Sequence, residues 1–129
     1  MWTEVRKVVP CVVCGRDSKK HSVKKKMIHI ESGKKELIVS EHYCTTCNKH
    51  FTNPAGEKYA PIRRNVSWGI IRMALSLSET LTLEKTSSEV LRKTGYRVSP
   101  TTLYDWIKGK EKLLQKMEQF AVFQTEKEI

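Results

Sequence analysis

No stretch of the chain approaches the ~20 consecutive apolar residues that a membrane-spanning helix requires. The first residues also lack the unbroken apolar segment of a secretory signal, because Glu4, Arg6 and Lys7 interrupt it. Acidic residues are in short supply, 14 Asp+Glu against 24 Lys+Arg. Aromatic residues make up 8% of the chain, with no clear exposed stacking surface of the kind that single-strand readers use. No low-complexity tract is present, and the only internal repeat is a duplicated C-x-x-C. These absences set aside a membrane protein and a secreted one. They place the chain in a reducing, cytoplasmic setting, where clustered cysteines serve metals better than disulfides.

The four cysteines present form two matched pairs, Cys11/Cys14 and Cys44/Cys47. Two thiolates at i and i+3 reach one ion from a single tight loop, and two such loops supply the four sulfurs of a closed tetrahedral zinc site. Gly15 follows the first pair and Asn48 the second, residues that accept the left-handed backbone a sharp turn needs. Among the histidines, His50 lies three residues after Cys47 and is the one placed to stand in for a thiolate. His21, His29 and His42 read as surface or hairpin residues. Four thiolates leave no open position for water, so one structural Zn2+ is expected and no catalytic role. A cleaving acid pair at the hairpin tip is not expected, since Glu31 and Glu36 are well separated there. No small-molecule substrate is implied.

Charge is uneven along the chain. Residues 1–64 hold 14 Lys+Arg against 6 Asp+Glu, and residues 65–129 hold 10 against 8. With a net charge of +10, the N-terminal half attracts polyanions, of which nucleic acid is the commonest.

The pattern reads as α+β. A β-hairpin is expected between the cysteine pairs, with strands over 23–30 and 37–43 around a turn at Glu31, Ser32, Gly33 and Lys34. Leu37, Val39 and Tyr43 share one face and Ser40 and His42 the other. Lys24, Lys25 and Lys26 make a basic edge that discourages strand pairing. Residues 1–53 thus form a small zinc-ribbon domain, and 54–64, with two prolines, a glycine and the pair Arg63 and Arg64, read as a linker or basic arm. Residues 65–109 read as a three-helix helix-turn-helix domain. Ile62, Val66, Ile70, Met73 and Leu77 predict a first helix over 61–78. A second helix starts at Thr82, or at Thr86 with Glu89 as a capping box, and ends at Gly95. Its inward residues are Leu83, Ser87, Val90 and Leu91. Ser99 caps a third helix with Pro100 at its first position. Val98, Leu103, Trp106 and Ile107 face the core. Thr101, Thr102, Tyr104, Asp105 and Lys108 face outward, where the start of such a helix enters the major groove. Arg92, Lys93 and Arg97 are placed for phosphates. Over 110–129 a balanced helical tail follows, whose stripe over 110–123 suits packing on its own helices or a homodimer interface.

The segment YCTTCNKHF (43–51) and the segment VSPTTLYDWI (98–107) carry a resemblance over residues 8–110. The chain resembles the N-terminal DNA-binding region of bacterial and archaeal insertion-sequence transposases. The resemblance implies recognition of double-stranded DNA at terminal inverted repeats, or regulation of transcription from such an element. Asp105 stands where that family commonly has arginine or another polar residue.

Overall fold

The computed structural model describes residues 1–61 and 64–120. Its architecture is mixed α and β, with a five-stranded sheet and four α-helices among the described residues. The strands are β1 (Trp2–Glu4), β2 (Val8–Pro10), β3 (Asp17–Ile30), β4 (Gly33–Cys44) and β5 (Lys49–Thr52). The helices are α1 (Trp68–Ser78), α2 (Leu83–Thr94), α3 (Pro100–Lys108) and α4 (Lys110–Phe120). None of them is long and apolar enough to cross a membrane.

The long hairpin of β3 and β4 is the spine. It turns at Gly33, whose φ of 139° few side chains tolerate, and pairs from Ile30↔Gly33 out to Lys19↔Tyr43. The other edge of β4 is shared. β1 runs parallel beside residues 37–39, and β5 runs antiparallel beside 41–44. β2 pairs only with the first residues of β3, so Lys24, Lys25 and Lys26 lie on an edge free of any other strand among the described residues.

Burial on β4 differs from a one-sided strand. Leu37 and Val39 are buried on one face with Trp2, Ile28 and Ala60. Ser40 and His42 are buried on the other. A polar knot explains this second set. Ser40 Oγ contacts His42 Nε2 at 2.7 Å and receives hydrogen bonds from Arg6 N and Asn53 Nδ2, both at 3.2 Å. These bonds satisfy Ser40 Oγ and His42 Nε2, while His42 Nδ1 is buried with no hydrogen-bond partner.

Residues 54–61 differ from the expected linker. Pro54–Lys58 form a 3-10 helix capped by Asn53, whose side chain accepts from Ala55 N. Gly56 sits so close to the sheet that a Cβ there would lie 3.3 Å from Val39 Cγ2. Tyr59 stacks on Trp2 with ring centres 4.6 Å apart. Buried Glu4 takes an ion pair from Lys58 at 2.5 Å and a hydrogen bond from the Tyr59 hydroxyl at 3.2 Å. The segment covers the sheet rather than spanning a gap. Ile62 and Arg63 lie outside the described residues.

Helix α1 also begins later than the apolar spacing suggests. Ser67 caps it, accepting from Ile70 N, while Val66 bridges to His29 of β3. His29 N donates to Asn65 O and His29 O accepts from Ser67 N, both at 2.8 Å. The helices then close over a second core of Ile70, Ile71, Ala74, Leu75, Val90, Leu103, Trp106 and Met117. Thr82, not Thr86, caps α2, and Gly95 ends it in the left-handed region at φ 77°. Leu91, expected inward, is exposed. Ser87 Oγ donates to Val98 O across the turn, so its small size and its hydroxyl both serve the close approach of α2 to the start of α3. In α4, Met117 is fully buried and Leu113 partly buried against the chain's own core, which occupies much of the stripe considered for a dimer. Residues 121–123 of that stripe lie outside the described residues.

His29 yields a measurable pH effect. Burial, reinforced by Lys34, holds its imidazole below the ordinary 6.5, and its ring rests on Tyr96 at 4.8 Å. The neutral form is favoured in the folded state. Its contribution to stability is therefore present above the unfolded pKa and is lost as pH falls through 6.5 towards the depressed folded value. We expect His29→Gln to lose less melting temperature than the parent between about pH 7 and about pH 5. Acid release of a thiolate-bound metal is common to both proteins, so the difference isolates the imidazole. Parallel losses would contradict it.

Candidate metal centre and basic surfaces

Strand pairing brings the two cysteine pairs together. Cys11 follows β2 and Cys14 precedes β3, so the first pair is the turn between them. Cys44 ends β4 and Cys47 precedes β5, so the second pair is the neighbouring turn. The β3–β4 register, with Lys19 opposite Tyr43, sets the turns side by side. Both adopt the backbone their sequences suggest, with Gly15 at φ 76° and Asn48 at φ 54°. Gly15 N donates to Cys11 O at 2.9 Å and closes the first loop.

The four sulfurs lie within 4.8 Å of one another. Cys11 and Cys47 Sγ are 3.9 Å apart, and Cys14 and Cys44 Sγ are 3.7 Å apart. A tetrahedral ion with metal–sulfur bonds of about 2.3 Å places its sulfurs about 3.8 Å from one another. The cluster therefore fits a metal ion. Backbone donors support the sulfurs, from Val13 N to Cys11 Sγ at 3.4 Å and from Cys47 N to Cys44 Sγ at 3.5 Å.

Electrostatics within the cluster point the same way. Backbone N–H groups of Cys14 and then Val13 pull the Cys11 thiol down to about 6. The Cys47 thiol is pushed up to about 12, first by its contact with the Cys14 sulfur, then by burial and by its contacts with Cys11 and Cys44. One thiol ionises readily, and its crowded neighbour resists carrying a further negative charge. A bound cation removes that conflict by replacing the protons. No histidine joins the sulfurs. His42 is held by Ser40, and the ring of His50 rests on Tyr43 and His21.

The residues considered for DNA contact separate into several groups. On α3, Thr101, Tyr104, Asp105 and Lys108 are exposed, and Lys108 Nζ lies 5.7 Å from the Tyr104 ring centre. Thr102 is half-buried, with its hydroxyl engaged by Ser99 Oγ at 2.9 Å. Arg97 and Lys93 are exposed. Arg92 is bound by both oxygens of Glu89, at 3.1 and 2.8 Å. On the sheet, Lys24 is exposed, Lys25 pairs with Glu36 at 3.2 Å, and Lys26 donates to Arg64 O at 3.3 Å. Burial, then Lys24, lowers the Lys26 ammonium from its usual value, so that amine braces the chain. Arg64 is exposed, and Arg63 lies outside the described residues.

One grouping has no counterpart in the sequence reading. His21, Tyr43 and His50, from three strands, meet at the metal end of the sheet, with ring centres 4.9 Å apart for His21–His50 and 4.7 Å for Tyr43–His50. The register shift between Lys20 and Ser22 turns His21 into this group. Cross-strand pairing of Tyr43 with His50 was the only part a sequence could suggest.

No family model matches the chain, and comparison with curated proteins and with solved structures finds no match either.

Proposed function

We propose that the chain is a non-enzymatic, sequence-preferring double-stranded DNA-binding protein, built as a zinc ribbon followed by a helix-turn-helix. It acts as a transcription regulator or as a transposase-like recognition module in the reducing interior of a cell. One observation carries the reading. Leu103 and Trp106 pin α3 to the core, while Thr101, Tyr104, Asp105 and Lys108 stand exposed on its other side. A helix held this way offers its first turns to a major groove.

In this reading a structural zinc ion takes all four thiolates and has no open position. Its work is to lock the two turns and hold the basic sheet rigid. Thr101 and Tyr104 meet base edges, and the Asp105 carboxylate accepts from a cytosine amino group. Arg97, Lys93 and Lys108 hold phosphates. Arg92 and Lys25 exchange an exposed ion pair for a phosphate at small cost, because such pairs are worth about 0–1 kcal/mol. Lys24 and Arg64 extend the contact towards the sheet, with Arg63 as a further phosphate contact.

Selection of bound duplexes from a random pool, at two salt concentrations and with metal measured on the same sample, tests this. We expect an enriched motif, one zinc per chain, and affinity that falls steeply with salt. Arg97→Ala should weaken all duplexes alike and reduce the salt slope by about 1, whereas Thr101→Ala should relax preference at one position. A pool that shows no enrichment removes α3 as a reader.

A further inference from the structure

The aromatic group at the metal end of the sheet sits in a basic trough. One cleft of about 610 Å³ is lined by Lys19, Lys20, His21, Tyr43 and His50. A second of about 440 Å³, whose lining includes Lys24, shares His50 with it. His50 therefore borders both clefts. Lys19 and His50 both lie opposite Tyr43 in register, which puts amine and rings on the same side of the strands.

The rings are placed to receive something flat. His21 and His50 are exposed, and neither ring contact is a parallel stack, the angles being 64° and 44°. At these angles neither contact covers both faces of a ring, and the exposure of the two imidazoles leaves ring surface accessible. The Tyr43 hydroxyl donates to Asn48 Oδ1, which fixes the tyrosine against the second cysteine turn. Around the rings, Lys19, Lys20 and Lys24 are exposed and in no ion pair among the described residues. Glu41 is the one acid lining either cleft. Accessible ring surface bordered by unpaired cations suits a planar base joined to a phosphate chain.

We propose that this trough binds a single-stranded DNA segment, with bases stacked on His50, Tyr43 and His21 and the backbone held by Lys19 and Lys24. A duplex cannot use the rings, because its bases are stacked on one another. An unpaired strand can, and every base offers a face. The trough lies on the sheet and α3 lies in the helical core, so the two surfaces share only Lys24 and read paired and unpaired strands with different residues otherwise. The inference rests on the double-strand reading only in its choice of DNA over RNA.

The test uses the full zinc-loaded chain and fluorescence anisotropy with labelled oligothymidylate, oligouridylate of equal length and a duplex. Oligothymidylate should bind with an affinity that falls with salt. His21→Ala with His50→Ala should weaken it about tenfold and leave duplex affinity unchanged. His50→Phe should restore most of the loss, which a merely structural histidine would not do. Lys19→Ala should lower the single-strand salt slope by about 0.7. Arg97→Ala with Lys108→Ala should weaken the duplex alone, so failure of the helix reading is distinguishable from failure of this one. No binding of oligothymidylate, an unchanged affinity in the double histidine variant, or preference for oligouridylate overturns the proposal.

Discussion

Cys44→Ser is expected to lose the metal and to unfold the cysteine end of the sheet while the helices stay folded. Cys44 is 1% exposed, and its sulfur belongs to the cluster that fits one ion. A structural zinc contributes about 10–16 kcal/mol in small domains, as much as the whole stability of a typical protein. The buried residues of the strand ends that carry the cysteine turns include Val9, Ser18 and His42, a set with little apolar surface. Nothing else there replaces the ion. The helices are anchored elsewhere. His29, which bonds to the start of α1, lies ten residues along β3 from Lys19, about 30 Å at strand spacing. The two apolar clusters are also distinct, one on the sheet and one among the helices. Hydrogen exchange should therefore show protection lost over 8–20 and 41–52 and kept over 68–78 and 100–108. Chelation of the parent should give the same pattern. One zinc per chain retained in the variant, or protection lost everywhere at once, would sink this expectation.

The cysteine site was legible because its determinants are local. Spacing, the glycine or asparagine after each pair, and the hairpin between them all lie in short stretches of sequence, and each turn acts through its own backbone. The same holds for Thr82, Gly95 and Ser99, whose capping chemistry is readable from the adjacent residues. Contacts made at long range were not legible. β1 is three residues long and is a strand because Trp2 meets Leu37 across 35 positions. Residues 54–58 have the proline and glycine of a linker, and only the sheet beneath them makes a buried cover of the same composition. Val66 continues the apolar spacing of α1, yet its backbone bridges to His29 instead. Periodicity cannot separate a helical turn from a bridge that happens to fall in phase. His21 looked like a surface histidine because the bulge that brings it to His50 depends on pairing that spacing does not encode.

Trp68→Ala is expected to be the most damaging single change outside the metal site, because this residue joins the two halves. Trp68 is the first residue of α1 and is 1% exposed. Its indole Nε1 donates to Glu57 O in the 3-10 helix, and its backbone N lies 3.4 Å from Tyr59 O. The neighbouring Ser67 N donates to His29 O, so sheet, cover and helix meet at one point. Truncation of a buried tryptophan costs about 3–5 kcal/mol. For a chain of this length that corresponds to a fall of about 10–20 °C in melting temperature. Trp68→Phe keeps most of the bulk and leaves the Glu57 carbonyl unpaired, at a cost of about 1–3 kcal/mol. With the proposed ion bound, the alanine variant should also separate the transitions, with the helical core melting first and the sheet later, since an ion in the cysteine cluster would stabilise only one side of the joint. Calorimetry of the zinc-loaded proteins measures both effects. Equal damage from alanine and phenylalanine would assign the cost to the hydrogen bond instead of the packing. A shift of only a few degrees in the alanine variant would mean that the backbone bridge from His29 to residues 65 and 67 holds the halves together without the indole.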